Sequence, residues 1–279
     1  MHNRLGTMTR VLCAVSIWLG LLTGCRPVEE PGSSTTQITL AGSTSVQPFV
    51  ELLEEHYMAA YSQAPAINVQ GGGSTAGVQA AETGIADIGM SSRNLKEAEL
   101  ALGLKTLPIA RDAIAVIAHP SNPITNLSLQ QVRAIFAGQI TNWSDVGGKD
   151  APIIVVTREE GSGTRGAFES LVMGDDRITL RALRQDSNGS VRVIVAGHPD
   201  SIGYISLGIV DERVKALHLD GVAPSTENVV SGTYTLARPF LFLWKTEPSL
   251  AAQDFIDYVL SAEGQELLAA EGLIPVKEP

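Results

Sequence analysis

The sequence is poor in the residues on which several classes of protein depend. Only 18% of its 279 residues are charged, and 30 acidic residues outnumber 20 basic ones, for a formal net charge of -10. Nucleic-acid binding requires an excess of Lys and Arg, so nucleic acid is excluded as the main partner. There are two Cys residues and five His residues, and none form a cluster with metal-ligand spacing. We therefore expect no metal and no cofactor.

Long hydrophobic runs are also missing. The apolar run 11–22 has twelve residues, whereas a membrane-spanning helix needs about 20. A short apolar run that follows Arg4 and Arg10 is typical of the central region of a secretory signal. The sequence therefore predicts export from the cytoplasm.

The apolar run ends at Leu22-Thr-Gly-Cys25, which resembles the bacterial lipobox, in which the Cys is lipidated and becomes the mature N-terminus. We expect residues 1–24 to be a lipoprotein signal peptide. Residues 25–37, rich in Pro, Gly, Ser and Thr, would be the lipidated Cys and a flexible tether. The protein would then be anchored at the outer face of a bacterial membrane. The alternative is an ordinary signal peptide with an incidental Cys.

After the tether, short apolar runs alternate with helical patterns. Hydrophobic residues make up 44% of the chain, enough for a sizeable core. The alternation predicts an α/β fold with a mostly parallel sheet covered on both faces. The main predicted strands are 38–41, 67–70, 86–89, 106–109, 113–118, 153–157, 201–205 and 239–244. The main predicted helices are 48–61, 76–82, 95–102, 128–136, 163–173, 190–196 and 250–270.

Three turns rich in Gly, Ser and Thr lie where a predicted strand passes into a predicted helix: 42–48, 71–77 and 158–165. The first N–H groups of a helix lack intrahelical partners, and the helix dipole adds partial positive charge there. Gly lets a ligand approach the backbone, and hydroxyl groups add donors. A single such turn is ordinary helix capping. Three together favour an anion site.

Motifs that would indicate a particular cofactor or a catalytic nucleophile are weak or missing. The segment 161–166 matches G-x-G-x-x-G, with Asp186 twenty residues on, but three residues separate it from its strand. No P-loop and no G-x-S-x-G nucleophile elbow occur. The scattered residues His119, His198 and His218 are interpreted as surface or structural residues.

Six segments in order resemble the substrate-binding proteins of phosphate ABC importers, within the type II periplasmic-binding-protein group. They are 41–48, 72–78, 86–93, 135–147, 161–165 and 202–204. The resemblance spans roughly Ile38 to Pro275. It implies two α/β lobes joined by two extended crossovers, with an oxyanion between them. Lobe one would comprise residues 38–118 and 239–279, and lobe two residues 119–238.

The resemblance also implies a set of ligand-binding residues and no catalytic ones. Donors would come from three turns and the helix across the cleft, and Arg158 would supply positive charge. The implied ligand-binding residues are Thr44, Ser45, Ser74, Ser92, Arg158, Ser162, Gly163 and Thr164. Possible additional ones are Ser43, Arg93 and Asp112.

Ser92 departs from the family pattern, because many members have an Asp there that accepts the proton of hydrogen phosphate. A buried carboxylate would face sulfate unpaired, which costs about 1–3 kcal/mol, and Ser repels sulfate less. Asp112 is either a replacement acceptor or a strand-end carboxylate paired with Arg111. Arg93 either adds charge to the site or forms an ion pair on the surface.

The resemblance implies a non-enzymatic receptor that binds inorganic phosphate and delivers it to an ABC permease with its ATPase subunits. We expect a monomer. Three alternatives stay open: the same scaffold binding another oxyanion (sulfate, molybdate or tungstate), a secreted serine hydrolase or phosphatase using Ser74 or Ser162, and a surface adhesin or sensor that keeps the fold but not the ligand.

Overall fold

The computed structural model describes residues 37–276. Residues 37–118 alternate strands and helices, as the hydrophobic pattern predicts. These elements are β1 (Gln37–Gly42), α1 (Gln47–Ala60), β2 (Ala66–Gly71), α2 (Ser74–Thr83), β3 (Ile88–Ser91), α3 (Glu97–Leu100) and β4 (Lys105–Ala118). Cys25 and the proposed signal peptide and tether, up to residue 36, lie outside the described residues.

The second part of the described chain continues this alternation, and its last two strands pair with strands of the first part. Its elements are β5 (Asn126–Leu127), α4 (Leu129–Ala137), β6 (Ile154–Arg158), α5 (Gly163–Phe168), β7 (Leu183–Gln185), α6 (Asn188–Gly197), β8 (Ser201–Ser206), β9 (Lys215–Ala216), β10 (His218–Leu219), α7 (Thr226–Val230), β11 (Ala237–Trp244), α8 (Leu250–Val259), α9 (Ala262–Ala270) and β12 (Ile274–Pro275). A π-helical turn, Glu169–Met173, extends α5.

The main sheet has the strand order β2-β1-β3-β11-β4-β8-β6-β7. The strands at its two ends are parallel, as predicted. The prediction of a mostly parallel sheet is wrong at the centre, where β11 runs antiparallel to β3 and β4, and β4 antiparallel to β8. Local hydrophobic patterns do not report strand direction, because pairing is decided by distant parts of the chain.

The long strand β4 connects two separate hydrophobic cores. It pairs with β11 up to Ala113 and with β8 from Ile114 onward. One core is built from β1, α1, β3, α8 and the apolar part of β11. A second core lies on one face of β8 and contains Trp143, Phe168 and Tyr204, and a smaller cluster covers the other face. This arrangement matches the predicted two-lobed α/β fold.

The sheet brings the loops after its strands together at two edges. Gly42 of β1 pairs with Gly71 of β2 and with Met90 of β3, so the turns that follow these strands leave from one edge. In the other half, Arg158 of β6 pairs with Gln185 of β7. Ligand sites in open α/β sheets form beyond the carboxyl ends of such strands.

In the described part of the chain, no helix has the length and apolar character needed to cross a membrane.

Candidate oxyanion site

Hydroxyl groups from three turns of the first half meet in one buried cluster. The Ser43 hydroxyl donates to Oγ of Ser92 over 2.8 Å and accepts from the backbone N–H of Ser45 over 3.2 Å. The Ser92 N–H donates to Oγ of Ser74 over 3.0 Å, and the two hydroxyl oxygens lie 3.4 Å apart. All of these side chains are buried. The structure therefore brings together the predicted residues Ser43, Ser45, Ser74 and Ser92.

The start of α5 and the turn before it approach this cluster from the second half. Oγ of Ser45 lies 2.7 Å from Oγ1 of Thr164, and the Thr75 N–H donates to the Gly161 carbonyl over 3.0 Å. A Cβ atom on Gly163 would lie 2.1 Å from Oγ of Ser74. The glycine is required here because any side chain would separate the two turns.

Ser162 and Thr44 lie beside the cluster in different roles. Ser162 is the N-cap of α5, and its hydroxyl accepts from the Arg165 N–H over 3.2 Å. Thr44 is half-buried, and its hydroxyl oxygen lies 3.4 Å from Nδ2 of Asn188. Capping occupies a lone pair of the Ser162 hydroxyl and leaves its proton free to donate to a ligand.

Arg158 is held at the end of β6 with both N–H bonds of its Nη1 left without a described partner. Its guanidinium donates to the Glu159 carboxylate over 2.9 and 2.8 Å, and to the carbonyls of Gln185 and Asp186 over 3.3 and 3.0 Å. The side chain is 1% exposed, and Nη1 has no partner among the described residues. A buried N–H without a partner is costly, so an anion at Nη1 would be stabilising.

Tyr204 contacts the backbone of Arg158 and the side chain of the preceding residue, Thr157. Its hydroxyl lies 2.7 Å from Oγ1 of Thr157 and accepts from the Arg158 N–H over 3.4 Å, while its ring stacks on Phe168 at 4.0 Å. Burial raises the pKa of Tyr204 to about 12, so the hydroxyl stays neutral. The end of β6 is therefore fixed by packing on one side and hydrogen bonds on the other.

Arg93 does form an ion pair, but not at the surface. Its guanidinium donates to both oxygens of Glu99 over 2.6 and 2.8 Å and to Oγ1 of Thr75 over 3.1 Å, with 6% of the side chain exposed. Burial acts to raise the pKa of Glu99, but the hydrogen bonds from Arg93 and from the Lys96 N–H outweigh it and hold the pKa below its ordinary value. The Arg93 charge is thus largely neutralised by Glu99.

Asp112 pairs with Arg238 rather than with Arg111. These two residues face each other in the β4–β11 register, and Nε and Nη2 of Arg238 donate to one carboxylate oxygen over 3.0 and 2.8 Å. Successive side chains of a strand point to opposite faces, so Arg111 is exposed while Asp112 is buried. The alternative pairing with Arg111 is wrong. Burial raises the pKa of Asp112, and Arg238 opposes that shift.

Two residues of this site were missed by sequence reasoning. Arg238 donates to Oγ of Ser45 over 3.2 Å, and Nδ2 of Asn188 donates to the same oxygen over 2.7 Å. Burial lowers the pKa of Arg238, Asp112 opposes this, and the positive charge of Arg158 lowers it further. The two arginines therefore lie within electrostatic range of each other. For Arg238, the available signal in the sequence was a single Arg at the start of an apolar strand. For Asn188, it was another turn rich in small residues, 186–190, just before a predicted helix.

The arrangement concentrates hydrogen-bond donors and positive charge, as anion binding requires. Within residues 37–276, no group of three His, Cys, Asp or Glu side chains could hold a metal ion. Neither Ser74 nor Ser162 has a described hydrogen bond to a His or carboxylate base, which nucleophilic catalysis would require. The fold and site together define an anion-binding protein with two lobes.

Comparisons with known proteins agree with this class. Residues 28–263 match the family model described as a PBP superfamily domain. The chain is 33% identical to the phosphate-binding protein PstS of Bacillus subtilis over 255 residues. This aligned region covers 90% of this chain and 83% of the Bacillus subtilis protein. It is 31% identical to PstS of Pseudomonas aeruginosa, over 86% of this chain and 83% of the other.

Solved structures give the same result. A Clostridium perfringens protein described as a phosphate ABC transporter substrate-binding protein, solved with bound phosphate, has a TM-score of 0.84 and 42% identity, covering 87% of this chain and all of that one. An ABC-type phosphate transport receptor from Vibrio cholerae has a TM-score of 0.70 and 40% identity, with coverage of 85% and 99%. The chain belongs to the PBP superfamily and, within it, to the substrate-binding proteins of phosphate ABC transporters.

Proposed function

We propose that this protein binds inorganic phosphate outside the cytoplasm and delivers it to an ABC permease with its ATPase subunits. The observation that carries the proposal is the closed set of buried donors around Ser45, Ser74 and Thr164, with Nη1 of Arg158 left without a described partner. The relative of known structure with bound phosphate supports the choice of ligand. Members of this family are transport receptors, and the chain is a binding protein rather than an enzyme.

The ligand would be held by groups from both lobes. We propose that hydroxyl and backbone donors come from the turns after β1, β2 and β3 and from the start of α5, and charge from Arg158. The residues proposed are Thr44, Ser45, Ser74, Ser92, Arg158, Ser162, Gly163 and Thr164, with Ser43 beside them. Arg93 is better explained by its ion pair with Glu99. Asp112 pairs with Arg238 through Oδ2 only, and its buried Oδ1 has no partner among the described residues, so its role as a replacement acceptor stays a prediction.

The number of donors is sufficient without a metal. Hydrogen bonds to a charged group contribute about 1.5–3 kcal/mol each, so seven or eight give roughly 10–20 kcal/mol before the costs of desolvation and closure. A micromolar to nanomolar site needs about 8–12 kcal/mol.

We propose that residues 38–118 and 239–279 form lobe one and residues 119–238 form lobe two. The separate hydrophobic cores support two lobes, but residues 113–118 pack in the core of the second half and pair with β8 and β9, so they belong with lobe two. β4 and β11 would then be the two crossovers, and hinge motion there would open the cleft. Phosphate favours the closed form only because it contacts both lobes.

The membrane attachment is proposed from the sequence alone. Lipidation of Cys25 would hold the protein at the outer face of the membrane, as a monomer on a tether up to residue 37. Replacing Cys25 with Ser should move the protein from the membrane fraction to the soluble fraction. If the variant stays membrane-bound, the anchor lies elsewhere.

Calorimetry with the purified protein tests the proposed ligand. Phosphate should give saturable heat with one site per chain and a dissociation constant in the micromolar to nanomolar range. Heat from sulfate or molybdate with none from phosphate would refute the assignment.

A further inference from the structure

The Ser45 hydroxyl has three polar side-chain neighbours from three different elements. Nδ2 of Asn188, at the start of α6, lies 2.7 Å from its oxygen, and Nη2 of Arg238 on β11 lies 3.2 Å away. Oγ1 of Thr164, in the first turn of α5, lies 2.7 Å away. The Ser45 side chain is completely buried. Its hydrogen bonds are therefore set by these protein groups.

Counting protons and lone pairs determines the direction of these bonds. An amide NH2 and a guanidinium can only donate, and a hydroxyl has two lone pairs and one proton. Asn188 and Arg238 occupy both lone pairs of Ser45. The single Ser45 proton must then point to Thr164, which turns the Thr164 proton away from Ser45.

Both donors are themselves held in place. Oδ1 of Asn188 accepts from the Ser206 N–H over 3.2 Å, which fixes the amide so that its NH2 faces Ser45. Arg238 is held by its two bonds to Asp112, and both side chains of this pair are at most 1% exposed. The orientation of the Ser45 proton is thus set before a ligand arrives.

We propose that Asn188 and Arg238 are positioning residues that direct the Ser45 proton to Thr164 and so leave the Thr164 proton to face the oxyanion. Ser45 then acts on the ligand through Thr164, as one member of a one-directional chain of donors. The proposal rests on the proposed phosphate-binding function. It assigns part of the affinity to residues that act through Ser45. Preoriented donors bind an anion without the cost of reorganising on binding.

A double-mutant cycle tests this coupling. Phosphate affinity is measured for the wild type, Ser45→Ala, Asn188→Ala and the double variant. We expect Ser45→Ala to weaken phosphate binding about 10- to 100-fold and Asn188→Ala about 10-fold. In the Ser45→Ala background, Asn188→Ala should cost less than about 2-fold, because the hydroxyl it orients is gone.

Ser187→Ala is the matched control. Ser187 is the N-cap of α6, and its hydroxyl accepts from the Ser190 N–H over 3.0 Å. This substitution weakens the same helix start without removing a donor to Ser45. Ser187→Ala should reduce phosphate affinity by the same factor in the wild type and in Ser45→Ala. If a general disturbance of α6 caused the effect of Asn188→Ala, the loss from Ser187→Ala would also be smaller in the Ser45→Ala background.

A second variant guards against misfolding of Asn188→Ala. Asn188→Asp keeps the acceptor for the Ser206 N–H but cannot donate to Ser45. Its negative charge repels phosphate in both backgrounds, so its loss of affinity should be larger with Ser45 present than in Ser45→Ala by the same factor as for Asn188→Ala. Additive losses in both cycles, with phosphate still bound by the wild type, would overturn the positioning role alone. A wild type that binds no phosphate would overturn the proposed function and this inference together.

Discussion

Gly163 approaches Ser74 so closely that a Cβ atom at position 163 would lie 2.1 Å from the Ser74 hydroxyl oxygen and 2.5 Å from that of Ser92. Real Cβ atoms do not approach other atoms to that distance. The two turns can be in contact only because residue 163 has no side chain. This contact joins the start of α5 to the loops after β2 and β3.

Gly163→Ala should therefore prevent the two lobes from closing on the ligand. We expect phosphate affinity to fall by about 100-fold or more, because closure supplies the contacts from the second lobe. Thermal stability without ligand should change little, because open lobes relieve the clash. Calorimetry and thermal denaturation measure the two effects.

Gly161→Ala is the control for this prediction. The nearest atom to a Cβ there is Cβ of Thr75 at 3.7 Å, an ordinary contact. The same substitution two residues away should keep phosphate binding within a few-fold of the wild type. Equal losses in both variants would contradict the steric explanation.

Arg158→Ala should remove the main positive charge of the proposed site. The buried guanidinium offers Nη1, and its loss would also leave the Glu159 carboxylate without its partner. We expect phosphate binding to weaken about 100-fold or more, and Arg158→Lys to recover part of that, because Lys keeps the charge but not the fork of donors.

Arg181→Ala makes the same change of net charge at an exposed position. Titration of both variants by calorimetry separates local binding from long-range attraction. If Arg181→Ala weakens phosphate binding as much as Arg158→Ala, the effect belongs to net charge and not to the site.

Much of the fold follows from local patterns, since most of the predicted strands and helices appear within a few residues of their positions. Two departures have local causes. The polar pair Arg111-Asp112 interrupts an apolar run, so one strand, β4, was predicted as two. Ser261 caps a new helix, so the predicted helix 250–270 is in fact α8 and α9.

The site was harder to predict than the fold. Turns rich in Gly and Ser identify donors because the signal is local. Arg238 and Asn188 lie far along the chain from Ser45 and meet it only through the pairing of β11 with β4 and the packing of α6. No local pattern distinguishes such residues from ordinary strand and helix starts.

Acid should destabilise the protein partly through Glu99. Its folded pKa is lowered, so the unfolded state binds a proton more readily, and the stability that Glu99 contributes is present above the unfolded value and lost as the pH falls through the folded one. Glu99→Gln should therefore have a lower free energy of unfolding than the wild type at about pH 7. At about pH 3 the free energies of unfolding of the two proteins should be closer together.

Denaturant unfolding at both pH values measures this difference. Glu97→Gln removes one charge from the same short helix at an exposed position and serves as the matched control. The Glu99 explanation fails if the difference from the wild type is the same at both pH values, or if Glu97→Gln shows the same pH dependence.

Ser92→Asp should sharpen the choice between phosphate and sulfate. Ser92 lies in the hydroxyl cluster, where it accepts from Ser43 and lies 3.4 Å from Ser74. A carboxylate there would accept the proton of hydrogen phosphate, but would face sulfate with no proton between them. We expect the ratio of phosphate to sulfate affinity to rise by about 10-fold or more, as one unpaired buried acceptor implies.

Ser92→Ala separates the two parts of this effect. It removes the hydroxyl acceptor without adding charge, so it should weaken phosphate modestly and leave the ratio to sulfate close to the wild-type value. Competition of sulfate against phosphate, measured by calorimetry for the wild type and both variants, gives the ratios. A ratio that is unchanged in Ser92→Asp would mean that residue 92 does not face the protonated oxygen, and that the proton of the bound anion is accepted by another group of the cluster.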